Sequence, residues 1–225
     1  MLPRCGKRRR RGPERGVMMR LALPKGRNLE PALEAFRAIG VELRGFDDGG
    51  RKLRSFFEQD ELEVLLLKDW DLPLYVEYGV ADFGIAGADV LGEMDGDLLV
   101  PARLCHGGCR LSLIGPEGSA PQPGSQVRLA TKYPKLARKV VASRPWGAEI
   151  VRLQGSVELS PVLRLTELAI DIVQTGRTLA ENRLVELEVL EHLHPCLVVN
   201  RASYQRHRAR LNELMRRLEE RGLVL

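Results

Sequence analysis

The sequence predicts an α/β protein built as two lobes with a ligand cleft between them. Short apolar runs at 21–23, 62–67 and 168–173 alternate with segments of helical periodicity, the pattern of strands joined through helices. A second alternating block begins near residue 105, and 225 residues with 44% hydrophobic content suffice for one large or two small cores. The chain end reads as a return to the first block. The expected division is a basic leader at 1–18, lobe I at 19–104 plus 197–225, and lobe II at 105–196.

Each element follows from local pattern. Residues 21–23 form a strand; Asn28 is suited to cap a helix carrying Leu29, Leu33 and Phe36, with Gly40 as its stop. Arg51 and Lys52 precede a strand. The apolar run 62–67 is followed by a helix at 73–78, and 82–87 reads as a buried strand closing on glycine before a helical turn at 88–91. This first unit is expected to hold a mostly parallel sheet. In the second, strands at 110–114 and 127–131 flank a Gly/Pro/Ser-rich turn region, and a helix at 134–142 and a strand at 149–153 follow. Ser156 is suited to cap the next helix. The strand 168–173 precedes a helical segment at 180–184, and 187–199 reads as two strands broken at Pro195. Leu211, Leu214, Met215 and Leu218 mark a closing helix that stops at Gly222.

The charge pattern excludes more than it suggests. Arg4, Lys7, Arg8, Arg9, Arg10, Arg11 and Arg15 stand against Glu14 alone in the leader, so the net charge of +5 belongs to the first 17 residues and the rest is almost neutral. A basic arm for nucleic acid rests on that leader only. It has no apolar core of a signal peptide, and we expect translation to begin at Met18 or Met19. No segment approaches the roughly 20 apolar residues of a membrane span, so a cytoplasmic protein without membrane or nucleic-acid partners is expected. Cys105, His106, Cys109 and His192, His194, Cys196 lack a recognised zinc spacing, so no structural zinc is expected.

The chemistry concentrates in residues 171–179, Asp-Ile-Val-Gln-Thr-Gly-Arg-Thr-Leu. A buried strand that empties into Thr175-Gly176-Arg177-Thr178 before a helix presents unpaired N–H groups to an anion, with glycine permitting close approach and two hydroxyls adding donors. Asp171 at the strand end suits ribose hydroxyls or a magnesium ion. A capped turn would satisfy the same nine residues. Lys25-Gly26-Arg27 brings two cations to a second strand-to-helix junction, and Gly155-Ser156-Val157-Glu158 forms a third; each alone is equally a solvated turn or a plain cap.

Together with 23–27, 75–87, 128–133, 155–161 and 197–201, in that order, the motif resembles the ATP phosphoribosyltransferase family over about residues 19–205. The resemblance implies a two-lobed fold like the type II periplasmic solute-binding proteins, with mixed sheets, flanking helices and the active site between the lobes. It implies attack of the ATP adenine N1 on C1 of phosphoribosyl pyrophosphate (PRPP), releasing pyrophosphate, the first step of histidine biosynthesis. It assigns Asp171, Thr175, Gly176, Arg177 and Thr178 to PRPP; Arg27, Arg51 and the supporting Lys25 to the phosphates and the departing pyrophosphate; and Asp71, Gly155, Ser156 and Glu158 to ATP. Mg²⁺ is expected to arrive on PRPP, near Asp171, without a protein metal cluster. The single acid and Arg177, where common phosphoribosyltransferase loops have two acids and a second glycine, match this family's own form.

The chain stops after the closing helix, so the resemblance implies the short catalytic form. That form associates as a dimer and joins a regulatory subunit resembling histidyl-tRNA synthetase in a hetero-octamer. The main rival is a non-catalytic two-lobed module for small anions. Such a module has no need of Lys25, Arg27 and the 175–178 loop together.

Overall fold

The computed structural model describes residues 18–43, 46 and 53–225. The leader at 1–17, Arg51 and Lys52 lie outside the described residues. The elements run β1 (Met19–Lys25), α1 (Leu29–Ala38), β2 (Arg54–Phe57), β3 (Leu62–Lys68), α2 (Leu72–Glu77), β4 (Phe83–Gly87), α3 (Ala88–Glu93), β5 (Leu99–Arg103) and β6 (Cys109–Gly115). They continue as β7 (Gln126–Thr131), α4 (Pro134–Ala142), β8 (Gly147–Arg152), α5 (Leu159–Val162), β9 (Leu168–Val173), α6 (Arg177–Glu181), β10 (Val185–Leu193), β11 (Pro195–Val199), α7 (Arg201–Arg206) and α8 (Arg208–Glu220).

Two sheets form, one per lobe, with strand orders β2-β3-β1-β4-β11-β5 and β10-β6-β9-β7-β8. The first is mixed, which corrects the expectation of a mostly parallel sheet. β1 pairs parallel with β3 and β4, but β2 folds back on β3 through the short turn at 58–61, and β11 enters from the other lobe against the direction of β4. In the second sheet β7 is parallel to β8 and β9, whereas β6 is antiparallel to β9 and β10. Pro195 and Cys196, expected with lobe II, pair with Gly87 and Ala86 of β4 in the first sheet.

Alternation along the strands feeds a core on each face. Leu21 and Leu23 of β1 pack with Phe36, Phe83, Leu211 and Leu218 under α1 and α8, while Ala22 turns to Leu72, Val76 and Val198 under α2. The second lobe repeats this arrangement. Leu129 and Ile170 pack with Leu136 and Trp146 on the α4 side, and Ala130 and Ala169 with Leu179 and Leu184 on the α6 side. Both sheets are therefore covered by helices on two faces, as parallel pairs require.

Register then places the chemistry. The carboxyl ends of β1 and β3 lie side by side, Lys25 opposite Lys68, and those of β7, β8 and β9 likewise, with Thr131 opposite Arg152 and Ile170. The loops that follow these strands carry the conspicuous motifs. Ligands of open α/β sheets collect at such carboxyl ends.

Candidate active site

The loop after β9 forms one wall of a cavity of about 280 Å³ lined by Glu158, Asp171 and residues 172–179. Gly176 sits at the N-cap of α6 with φ 76° and ψ 1°, a left-handed conformation that glycine adopts without a Cβ clash. The first helical bond runs from Ala180 N–H to the Gly176 carbonyl, so the N–H groups of 177–179 precede it. Arg177 N–H makes only a long contact of 3.4 Å with Thr175 Oγ1. The Arg177 guanidinium, largely exposed, pairs with Glu181 at 2.9 Å. Backbone and hydroxyl groups, rather than that guanidinium, make the cradle.

Asp171 is the charged floor of this cavity. Burial pushes its carboxyl up to about 6 and the charge of Glu158 adds to this, while the Ile172 N–H at 2.8 Å, Lys132 and Arg27 pull it back down. Arg27 and Lys132 are thus electrostatic neighbours of Asp171 at the start of this loop. Lys132 also stands over the Trp70 ring, 4.9 Å from its centroid.

Arg27 lies in the turn between β1 and α1, its side chain 23% exposed, and its Nη2 meets Asp89 Oδ2 at 2.6 Å. Lys25 is exposed at the end of β1 and forms no ion pair among the described residues. Asn28 makes no side-chain cap, correcting that expectation: its Nδ2 donates to Asp69 Oδ2 at 3.3 Å across the β1–β3 ends. Burial, and then the charge of Asp89, raise the Asp69 carboxyl.

Of the residues assigned to ATP, Glu158 occupies the N-cap of α5 and lines the cavity. Ser156 does not cap that helix. It is exposed, with φ 49°, a conformation uncommon outside glycine, and its carbonyl accepts from Leu159 N–H in a tight turn. Gly155, also exposed, faces open space. Asp71 is exposed at the N-cap of α2, its carbonyl rather than its side chain receiving the first helical N–H groups. Asp171, Glu158 and 175–178 thus share one cavity with Arg27 as an electrostatic neighbour, whereas Asp71 and Lys25 are exposed and do not line it. Arg51 lies outside the described residues.

Asp69, Asp89, Lys132 and Tyr133 were given no role from sequence. Asp89 reads as an ordinary acid in a first helical turn, and Lys132-Tyr133 as a strand exit. Among the described residues, no three His, Cys, Asp or Glu side chains group so as to hold a metal ion, and no helix is long and apolar enough to cross a membrane.

The fold and the site define a two-lobed α/β protein with a strand-to-helix loop lining a cavity and a half-buried arginine near its buried aspartate. Its architecture matches the E. coli periplasmic aliphatic sulphonate binding protein SsuA at a TM-score of 0.62 and 10% identity, a likeness of fold alone. The family model described as "HisG: ATP phosphoribosyltransferase" matches residues 68–220. An ATP phosphoribosyltransferase of Geobacter metallireducens is 39% identical over 204 residues, 89% of this chain and 96% of that protein. One of Thermus thermophilus is 39% identical over 206 residues, covering 92% and 98%. A chain of the Thermotoga maritima structure titled "ATP phosphoribosyl transferase (HisG:HisZ) complex" superposes with a TM-score of 0.74 at 34% identity, covering 90% of this chain and 98% of that one. The chain belongs to the ATP phosphoribosyltransferase family, pentosyltransferases of histidine biosynthesis.

Proposed function

We propose that the 171–179 loop holds the 5′-phosphate of PRPP, that Arg27, with Arg51 and Lys25, takes up the charge of the departing pyrophosphate, and that ATP enters past Asp71, Gly155, Ser156 and Glu158. The observation that carries this reading is the cavity shared by Asp171, Glu158 and the first-turn residues 177–179, with Arg27 as an electrostatic neighbour of Asp171.

The reaction asks for little acid–base work. As the N1–C1 bond forms, the C1–O bond breaks and its electron pair leaves with pyrophosphate. The neutral adenine N1 already carries the attacking lone pair. The protein's tasks are alignment of two polyanions and stabilisation of charge building on the leaving group. Thr175 and Thr178 hydroxyls and the loop N–H groups fix the ribose end by its phosphate. Arg27 then meets the other end.

Mg²⁺ fits this site as a passenger of PRPP. Asp171 and Glu158 offer hard oxygen donors in one cavity, and one or two carboxylates plus substrate phosphates is the usual magnesium shell. When bound, the ion neutralises pyrophosphate oxygens.

We further propose that this is the short catalytic form, working in the cytoplasm. It would form a dimer and, with a regulatory subunit resembling histidyl-tRNA synthetase, a hetero-octamer. Support comes from the nearly full-length match to a chain of the HisG:HisZ structure. The test is to mix the protein with ATP, PRPP, Mg²⁺ and pyrophosphatase, with and without the regulatory subunit, and follow phosphoribosyl-ATP by ultraviolet absorbance. Product should form slowly alone and faster with the partner, which should also confer histidine inhibition. No product under either condition refutes the substrate assignment, and strong histidine inhibition of the isolated chain refutes the short form.

A further inference from the structure

Arg27 does not stand alone: its partner in the same lobe, Asp89 of α3, is bonded in turn from the opposite lobe. Asp89 and Glu93 lie four residues apart on one face of α3, and both reach across to the start of α4. Tyr133 donates its hydroxyl to Asp89 Oδ2 at 2.9 Å, and Leu136 donates its N–H to Glu93 Oε1 at 2.8 Å. Gly92 lets the two helices meet, since a Cβ there would lie 2.8 Å from Leu136 Cδ2. The Asp89 oxygen that receives Tyr133 is the same one that pairs with Arg27 Nη2 at 2.6 Å.

The remaining atoms of this group are unspent. Arg27 Nε and Asp89 Oδ1 are buried with no hydrogen-bond partner among the described residues. The guanidinium is therefore gripped at one end, with the grip depending on a single carboxylate oxygen shared between lobes. Tyr133 is itself firmly held: it is 3% exposed, its N–H donates to Thr131 Oγ1 at 2.9 Å, and its ring stacks on Trp70 with centroids 5.7 Å apart. Burial, and then the negative charge of Asp89, push the phenol far above its ordinary range, so the hydroxyl remains a donor at every working pH.

We propose that Asp89 and Tyr133 are positioning residues for Arg27, Asp89 fixing where the guanidinium stands and Tyr133 tying that place to the approach of the second lobe. The proposal rests on the reading of Arg27 as the cation at the leaving pyrophosphate. Tyr133 touches no substrate in this scheme and acts through Asp89.

The test is a double-mutant cycle in the full chain, measuring kcat and the KM values for PRPP and ATP in Tyr133→Phe, Arg27→Ala and the double variant. Glu93→Ala serves as the control, because it removes the acceptor that joins the same two helices without touching Arg27. Tyr133→Phe keeps the ring on Trp70 and deletes one hydrogen bond. It should lower kcat about ten-fold with KM for PRPP within about two-fold, less than the hundred-fold that full misplacement of a reacting group costs. In the Arg27→Ala background the same change should alter kcat by less than about two-fold, because coupled residues are not additive. A loss that persists in that background, an equal loss in Glu93→Ala, or an unchanged kcat in Tyr133→Phe beside a large loss in Arg27→Ala overturns the positioning role. Unchanged kcat in Arg27→Ala instead overturns the leaving-group reading beneath it.

Discussion

β4 carries a buried carboxylate at each end, and the two are satisfied to different degrees. Asp82 just before the strand and Asp89 just after it are each 2% exposed. Asp82 Oδ1 accepts from Ser203 Oγ at 2.6 Å and Oδ2 from Arg20 N–H at 2.8 Å, with the guanidinium groups of Arg20 and Arg206 both 3.6 Å away. Its partners come from β1 and α7, so it fastens the last helices of the chain to the first strand. Asp89 has one oxygen bonded twice and the other bonded to nothing among the described residues. Asp82, with both oxygens bonded, ties elements of the fold together, whereas Asp89 keeps one oxygen without a partner just past the carboxyl end of β4.

Substitution should separate the two roles. Asp89→Ala is expected to lower turnover about 100-fold by freeing Arg27, with a smaller loss of stability than the matching change at Asp82. Asp82→Ala should do the reverse, costing about 3 kcal/mol in urea denaturation by stripping partners from a buried charge cluster, with turnover per folded molecule within about two-fold of the parent. If both variants lose activity and stability in the same proportion, the contrast is false.

Asp171 extends the comparison to the second lobe. Its folded carboxyl titrates near 6, above the ordinary 3.8, so the native state binds the proton more tightly than the unfolded chain does. Its ionisation therefore subtracts stability as pH rises from about 4 through about 6. Asp171→Asn should be more stable by about 2 kcal/mol at pH 8, a gain that vanishes near pH 4, while its affinity for PRPP falls. In the parent protein, PRPP binding measured by calorimetry should weaken as pH drops below about 6. A destabilised Asp171→Asn at pH 8 would show that this charge serves the fold, as Asp82 does.

The smallest effect is expected at the loop itself. Because the Arg177 guanidinium pairs outward with Glu181, Arg177→Ala should raise the KM for PRPP by no more than about three-fold, retaining the N–H that faces the cavity. A loss of ten-fold or more would mean that the guanidinium turns inward when substrate binds.

Much of this layout was legible from residue order. β9 and α4 coincide with the periodic segments 168–173 and 134–142, because apolar runs bounded by turn residues leave little choice. β5 escaped: Leu-Val-Pro-Ala-Arg is an edge strand that is mostly exposed, and proline inside a run argues against a strand until its edge position is known. Asn28 and Ser156 looked like caps, but tertiary contacts drew Asn28 to Asp69 and a left-handed turn removed Ser156. The loop that lines the cavity was legible because its residues, 171–179, are consecutive. The Asp89–Tyr133–Arg27 group was not, because its members lie 44 and 62 residues apart and Tyr133 reaches Asp89 from the other lobe.

The second lobe leaves and rejoins the first through neighbouring strands, Arg103 of β5 standing opposite Cys196 of β11 and Leu104 N–H bonded to the Pro195 carbonyl at 2.8 Å. Everything between Leu104 and Pro195 is thus an excursion from a hairpin whose stem is already paired. Replacing it with a two-residue Asn-Gly turn should leave a chain that completes its own six-stranded sheet and still unfolds cooperatively in urea. In topological terms the chain is a six-stranded α/β layer into which a second α/β lobe is inserted at one loop.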